Sequence, residues 1–290
     1  MKQLKRILND IYIKRDKRWI AYWVVGLCAV WVWDVLFLNA PALRQIEAAM
    51  ACTFVVSFLV VIFSLLTAWT LTLILHFTEY SGYRWLYLIL TFLINVLRSV
   101  PQIIGVLLGY AVLTFLIERE VLESDFWKIV CMACIIGVFV FLELLDLLRE
   151  RIRFFQQSDF YPAMLVSGVR ELRIVQYEIL WKNCVSHILN KLIAIFGISI
   201  FLQCSVDFII SVGLSTDVSS LNFPATLGSM LAKMDSKKDI LAIGNSMMHP
   251  GYLPHLFFTH LQGITIAFLI VFTLFTIYKA NKEFARRYRL

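Results

Sequence analysis

Few side chains in this sequence have the type and spacing that catalysis or metal binding requires. Cys131 and Cys134 form a CxxC pair, but they lie inside the apolar run IVCMACIIG, without the strand and helix context of redox motifs. His249, His255 and His260 are close in sequence, yet no carboxylate lies between them. A thiol in an apolar run packs as a small hydrophobe. The sequence therefore favours a packing role for the two cysteines over a redox role. It also argues against a zinc site at the three histidines.

The chain also contains no loop that would bind a nucleotide by itself. None of its 12 glycines is followed by lysine, so the phosphate-binding loop GxxxxGK[ST] is absent. The GxSxG and HExxH motifs and a glycine-rich dinucleotide loop are absent as well. We therefore predict that this chain is not an enzyme and holds no catalytic residues, cofactor or metal.

The composition identifies the environment in which such a chain can fold. Of its 290 residues, 60% are apolar and 16% are charged, and the mean hydropathy is +0.77. An average soluble domain is about 45–50% apolar and about 25% charged. So few charges cannot cover the surface of a soluble protein of this size. The composition predicts an all-α polytopic membrane protein and excludes a soluble enzyme or a nucleic-acid-binding domain.

Six apolar runs are candidates for membrane-spanning helices, because a bilayer core about 30 Å thick needs roughly 20 apolar residues. The first run is longer than a signal-peptide core, so we expect it to stay uncleaved. The third run contains Arg98 and Pro101. Proline breaks the helical hydrogen bonds, so we expect an interfacial or tilted helix over 85–97 and a crossing helix over 101–117. The runs are 19–38, 48–77, 85–117, 126–148, 188–210 and 256–277.

The basic residues behind the net charge of +7 indicate how the chain is oriented. Most of them lie in the N-tail 1–18, at Arg84, in the loop 149–187 and in the C-tail 279–290. The positive-inside rule places these segments in the cytoplasm, on either side of a transmembrane domain over 19–278. The charge therefore needs no nucleic-acid partner. The segments that then face outward are 39–47, 118–125 and 211–255.

The loop 149–187 has the pattern of two short helices. Ser158 and Asp159 are helix-capping residue types, Pro162 suits a first helical turn, and Gly168 suits a helix end. Such a pair either docks onto another protein or lies on the lipid headgroups, held by arginines and Trp181. The apolar stripe predicted for the second helix consists of Leu172, Val175, Ile179 and Leu180.

The segment from Asp159 to Gly168 resembles the EAA-loop motif of the integral membrane subunits of binding-protein-dependent ABC importers. In that family, a Tyr-Val pair precedes Glu-Ala-Ala, three variable residues and a glycine. Here Tyr161 precedes the motif, and Pro162, Ala163, Met164 and Gly168 stand at its four defined positions. The family's later His-Ile-Leu-Pro-Asn stretch corresponds to EILWKN, which begins at Glu178.

Two further elements extend this resemblance over about residues 80–280. The segment from Arg98 to Pro101 is similar to the Ser-x-Pro element before the family's third span. The runs SVGLS (211–215) and PATLGSMLA (224–232) are similar to a glycine-rich turn and a later Trp-Gly-Ser-Met-Leu element in peptide/nickel-type members. A basic tail stands where the peptide subfamily commonly has an acidic one.

The resemblance implies a type I ABC importer permease with about six transmembrane helices, in the bacterial inner membrane. Such a subunit forms half of a pore for ATP-driven uptake of peptides or a similar small solute. Its 158–183 loop would couple the pore to a separate cytoplasmic ATPase that binds ATP-Mg. The other implied partners are a second permease subunit, expected to be a different chain, and a solute-binding protein outside. The implied coupling residues are Asp159, Tyr161, Pro162, Ala163, Met164, Gly168 and Glu178.

Two other function classes stay open. The first is a divergent permease-like subunit with a structural or assembly role, which the replacements at Pro162 and Met164 favour. The second is a secondary transporter or a membrane-embedded enzyme, for which the sequence lacks paired broken helices and a catalytic cluster. An ATPase partner stimulated by cargo would distinguish transport from assembly.

Charged residues inside the spans are candidates for function, because a charge at the bilayer centre costs about 2.5–3.5 kcal/mol. Arg98, next to Pro101, is the best candidate for a pathway residue or an inter-helix contact. We expect Glu143 and Asp146 to form interfacial ion pairs with Arg149, about one turn away. Asp34 and Asp207 are expected near the outer surface.

Overall fold

The computed structural model describes residues 15–80, 84–213, 223–233, 247–252 and 261–288, and within these ranges it contains helices and no strands. The expectations for residues 1–14, 81–83, 214–222, 234–246, 253–260 and 289–290 lie outside the described residues. The described helices are α1 (Arg15–Phe37), α2 (Ala40–Tyr80), α3 (Arg84–Ser99), α4 (Gln102–Glu118), α5 (Asp125–Gln156), α6 (Phe160–Val166), α7 (Glu171–Arg173), a π-helix (Ile174–Asn183), α8 (Val185–Gly213), α9 (Leu227–Lys233), a 3₁₀ turn (Pro250–Tyr252) and α10 (Leu261–Tyr288).

The helices include the apolar spans that the composition predicts. In the described part of the chain, α1, α2, α5, α8 and α10 are long and apolar enough to cross a membrane. The pair α3 and α4 makes a sixth span if it is counted once, and it is bent by 98°. The bend falls at Val100 and Pro101, with Pro101 in extended backbone (φ −57°, ψ 132°). The all-helical architecture and the break at Pro101 are therefore confirmed, and the number of long apolar helices is compatible with a polytopic membrane protein.

Several helices extend beyond the predicted runs. α2 begins at Ala40, so most of the segment 39–47, which we predicted as a loop, is helical. Pro41 lies in its first turn, where a missing N–H costs no hydrogen bond. α5 continues to Gln156 and α10 to Tyr288, through their basic residues. Hydropathy marks only the apolar part of a helix, and arginine and lysine are good helix formers that prolong it.

The core lies where α2 packs along α5 and where α8 packs against both helices. α4 also lies close to α5, because glycine occupies the contact positions of α4. A Cβ atom added to Gly105 would come within 2.2 Å of the Phe139 ring, and one added to Gly109 within 2.3 Å of Ile135. Small residues at such contacts let helix backbones approach closely in membrane proteins.

The helix directions define two ends of the bundle. α2 and α5 end, and α8 begins, beside the segment 157–184, and we call this the loop end. α8 ends, and α2 and α10 begin, at the other end, which we call the far end. α1 packs mainly on α10, with Trp23 Nε1 donating a hydrogen bond to Thr273 Oγ1 at 3.1 Å. α9 lies at the far end, against α8, α2 and α10.

Candidate functional site

The candidate coupling segment lies at the loop end, where α6 follows α5 after a three-residue turn. Pro162 lies in the first turn of α6, as predicted. Asp159 precedes the helix, but its side chain makes no capping hydrogen bond. Its backbone is already helical (φ −61°, ψ −15°), whereas a capping residue needs an extended backbone. Ser158 Oγ donates to the Phe155 carbonyl of α5 instead, so the predicted side-chain cap is wrong.

One face of α6 is attached to the bundle. The Phe160 ring meets the Phe155 ring of α5 edge-on, with 5.8 Å between centroids. Tyr161 Oη donates a 2.7 Å hydrogen bond to Glu171 Oε1, and the same oxygen lies 3.2 Å from His76 Nε2 of α2. Met164 is half-buried and packs against the main core. These contacts hold α6 against the ends of α5 and α2.

The other face of α6 is exposed and apolar. Pro162 and Ala163 are exposed, and so are Leu165 (44%) and Val166 (89%). Leu165 and Val166 are not among the coupling residues predicted from the sequence, although apolar residues at the end of a short helix can indicate a contact surface. A short helix with one attached face and one exposed apolar face can fit a groove on another protein.

Gly168 ends α6, as its position in the sequence predicts. Its φ is +80°, a backbone conformation that favours glycine. The Gly168 N–H donates to the Leu165 carbonyl at 3.0 Å, and the Val169 N–H donates to the Met164 carbonyl at 3.2 Å. This is the Schellman pattern of helix ends. The turn reverses the chain so that Glu171 reaches Tyr161.

The second predicted helix is a π-helix for most of its length, and one residue of its predicted apolar face is wrong. The Cys184 N–H bonds the Ile179 carbonyl, five residues earlier. Ile174, Val175, Ile179 and Leu180 are buried, whereas Leu172 is exposed. The predicted stripe assumed 3.6 residues per turn, and the wider π-helix instead buries two adjacent pairs five positions apart.

Glu178, an implied coupling residue, and the cysteine Cys184 both take structural roles in this region. Glu178 Oε2 accepts a 3.1 Å ion-pair contact from Lys182 Nζ, and the Glu178 carbonyl accepts from Asn183 Nδ2. The contacts of Glu178 thus lie within its own helix and not on α6. Cys184 follows the π-helix, and burial raises its pKa to about 11. Its thiol therefore stays protonated and unreactive at neutral pH.

A network of charged residues joins the break at Pro101 to α5 and α8. Arg98 Nη2 lies 2.6 Å from Asp146 Oδ1, and Lys191 Nζ lies 2.7 Å from Glu143 Oε2. Gln102 Nε2 also donates to Glu143 Oε1 at 3.4 Å. The structure thus brings Arg98 and Gln102, on either side of the break at Pro101, together with Asp146 and Glu143 of α5.

Glu143 and Asp146 pair with other residues than the sequence predicts. We expected Arg149 to pair with Glu143 and Asp146, but Arg149 Nη2 contacts Tyr87 Oη at 3.4 Å. The 98° bend places Arg98, at the end of α3, beside Asp146, so a distant arginine replaces the near one. Arg98 therefore makes an inter-helix contact. Its role as a pathway residue stays a prediction.

A charge exchange tests the contact between Arg98 and Asp146. Both side chains are about half exposed, and exposed ion pairs contribute about 0.2–1 kcal/mol. We expect Arg98→Asp and Asp146→Arg each to lower the melting temperature in one detergent, and the double exchange to recover most of the loss. If the double variant loses the sum of the single losses, the two side chains do not interact.

At the far end, part of the predicted outward loop 211–255 is buried in the bundle. Asp207 is 7% exposed, and its Oδ2 accepts a 2.6 Å hydrogen bond from Thr226 Oγ1. The Leu227 N–H donates to Thr53 Oγ1 of α2 at 3.1 Å. The backbone at Gly228 packs directly on that of Cys204. Asp207 thus lies near the far end of α8, as expected, but it is buried there because Thr226 and α9 cover it.

The sequence contains a signal for this buried helix that we did not use. The Thr226 N–H donates to Ser229 Oγ at 3.0 Å, and the Ser229 N–H donates to Thr226 Oγ1 at 3.1 Å. This reciprocal pair has the logic of a capping box, with serine at the fourth position. The run Thr-Leu-Gly-Ser could thus have marked a helix start inside the predicted loop.

The remaining polar candidates lie between helices. Asp34 lies in the last turn of α1, as expected, but it is 2% exposed, and Thr265 Oγ1 donates to it at 2.9 Å, which links α1 to α10. Cys131 and Cys134 are free and half-buried on α5. In the described ranges, no three His, Cys, Asp or Glu side chains are grouped to hold a metal ion. His255 and His260 lie outside those ranges.

Comparisons with known proteins do not assign this chain to a family. Comparisons with protein-family models, with curated proteins and with solved structures found no match to this chain.

Proposed function

We propose that this chain is the transmembrane permease subunit of a bacterial ABC importer. It forms half of the pore for ATP-driven uptake of peptides or a similar small solute, and a separate ATPase drives it through the 158–183 segment. One observation carries the proposal: α6 presents an exposed apolar face at the loop end, in the segment that resembles the coupling loop of these importers.

The contacts of α6 support a mechanical role for this segment. Tyr161 and His76 both contact the carboxylate of Glu171, and Phe160 packs on Phe155. A displacement of α6 by a partner would therefore act on the ends of α2 and α5. These are the two longest described helices, at 41 and 32 residues, and they form the centre of the core.

The distribution of charge supports the proposed orientation. Basic residues of the loop end include Arg149, Arg153, Arg170 and Arg173, and α10 ends there with Arg286 and Arg287. By the positive-inside rule, we place this end and both termini in the cytoplasm of a bacterium, at its inner membrane. The ATPase, which holds ATP-Mg, meets the loop end, and the solute-binding protein meets the far end. A second permease subunit completes the pore.

A permease-like subunit that assembles a complex and moves nothing is the second candidate. Pro162 stands where the family's motif has an acidic residue, and Met164 turns toward the core. At these two positions, the chain therefore presents fewer contact groups to an ATPase than the family's motif does.

Purification of the full chain from its native membrane, in a mild detergent, distinguishes the two candidates. The transport proposal predicts an equimolar partner that contains a GxxxxGK[ST] loop, and ATP hydrolysis that rises when cargo is added. A stable complex without any nucleotide-binding partner would contradict transport and favour the assembly role.

A further inference from the structure

A groove of about 940 Å³ opens at the loop end between α2 and the segment that follows Gly168. Its walls differ in chemistry. Trp69, Leu172, Tyr177 and Trp181 supply aromatic and apolar surface, and Arg170 and Arg173 supply two positive charges. The exposed residues of α6, Leu165 and Val166, do not line it. The groove therefore lies in the second half of the proposed coupling segment and borders Gly168, but it does not include the apolar face of α6.

The two arginines of the groove have no acidic partner among the described residues. The nearest carboxylates in the sequence are engaged elsewhere, since Glu171 contacts His76 and Glu178 contacts Lys182. Both guanidinium groups belong to exposed residues on the same short segment. Guanidinium groups bind phosphate oxygens in a bidentate manner. The groove thus offers two unpaired cations to an anionic ligand.

The position of the groove along α2 indicates which anion fits it. Trp69 lies in the apolar span Ala40–Glu79, about three turns or ~16 Å before the helix ends at Tyr80. Arg170 and Arg173 lie in the segment beyond the helix ends. The groove therefore joins the apolar surface of a candidate membrane span to a basic rim. A free phosphate would leave the Trp69 wall uncovered, whereas a phospholipid would cover both the apolar wall and the two arginines.

We propose that this groove binds an anionic phospholipid from the leaflet at the loop end. Its phosphate lies between Arg170 and Arg173, and an acyl chain lies along Trp69 and Leu172. Tyr177 and Trp181 sit at the level of the headgroup, where aromatic residues concentrate in membrane proteins. Basic pockets beside membrane helices recognise anionic headgroups in this way. The site would make the position of the 168–183 segment depend on the charge of the membrane.

Native mass spectrometry of the full chain tests this site. The purified protein is mixed with phosphatidylglycerol or phosphatidylcholine of the same acyl chains, and the bound lipid is counted. We expect one phosphatidylglycerol to remain bound in preference to phosphatidylcholine. The double variant Arg170→Gln/Arg173→Gln should bind it more weakly, on the order of tenfold. The lysine pair Arg170→Lys/Arg173→Lys should retain part of the affinity.

The matched control removes two charges at the same end but outside the groove. Arg286→Gln/Arg287→Gln should leave the bound phosphatidylglycerol unchanged. Equal binding of phosphatidylcholine, or undiminished binding in the Arg170 and Arg173 variant with unchanged melting temperature, would overturn the proposal. Displacement of the lipid by millimolar inorganic phosphate alone would also overturn it, because the groove would then be a site for small anions. None of these results depends on the presence of an ATPase.

Discussion

Replacing Leu165 and Val166 by glutamate is expected to release the proposed ATPase partner while the chain itself stays folded. Both residues are exposed on α6, so the change removes no core packing. In a complex, however, two carboxylates would be buried in an apolar groove without partners, which is strongly unfavourable. We expect the affinity for the ATPase to fall on the order of 100-fold, measured by the amount of ATPase that co-purifies with the tagged chain.

The control for this variant is an apolar-to-glutamate substitution at the other end of the bundle, which adds one negative charge instead of two. Val121 is exposed beyond α4, and Val121→Glu should retain the ATPase in full. The melting temperatures of both variants should equal that of the unchanged chain. If Leu165→Glu/Val166→Glu retains the ATPase, α6 is not the docking helix, and the 158–183 segment has another role.

The second large effect is expected at Gly228, where α9 meets α8. A Cβ atom at this position would lie 2.5 Å from the carbonyl oxygen of Cys204 and 2.6 Å from its Cα. These are backbone atoms, so no side-chain rotation relieves the clash. We expect Gly228→Leu to separate α9 from α8 and to destabilise the protein by about 1–3 kcal/mol.

Labelling of Cys204 reports this separation directly. Cys204 is buried, so a chain in which Cys204 is the only cysteine should react slowly with N-ethylmaleimide. Gly228→Leu should accelerate the reaction, because it uncovers the thiol. Gly251→Leu is the matched control, since a Cβ atom at Gly251 meets nothing within 4 Å. Slow labelling and an unchanged melting temperature in Gly228→Leu would contradict the packing of α9 described above.

Apolar length and proline chemistry were sufficient to predict the framework of the bundle. The long helices could be predicted because each needs only a continuous apolar run, and the break at Pro101 because proline lacks an N–H. Gly168 could be predicted for a similar reason, since the end of a helix commonly needs a residue with positive φ. These features depend on a few neighbouring residues, so the local sequence contains the information.

Features that depend on contacts between distant segments could not be predicted in this way. The partner of Asp146 depends on a 98° bend that brings Arg98 across 48 positions of sequence. The exposure of Leu172 depends on π-helical hydrogen bonding, which periodicity arguments at 3.6 residues per turn do not consider. The burial of Asp207 depends on α9, a seven-residue helix within a segment too polar and too short to register as a span.

The candidate site also combines features that neighbouring residues determine with features that depend on contacts between distant segments. Pro162 and Gly168 take the local roles that the sequence predicts, at the start and the end of α6. The attachment of α6 through Tyr161, Glu171 and His76 joins residues up to 95 positions apart and could be seen only in the structure. The proposed coupling needs this attachment, because a helix that is free to move independently could not transmit force to α2.

The most direct test of the coupling claim is a site-specific cross-link from α6 in native membranes. A photo-reactive amino acid replaces Ala163, which is exposed on α6, and the cross-linked products are identified by mass spectrometry. The proposal predicts one main product, whose partner contains a GxxxxGK[ST] loop and whose yield changes when ATP is added. Cross-links to lipid alone, or to a partner that binds no nucleotide, would contradict the claim that this chain couples to an ATPase.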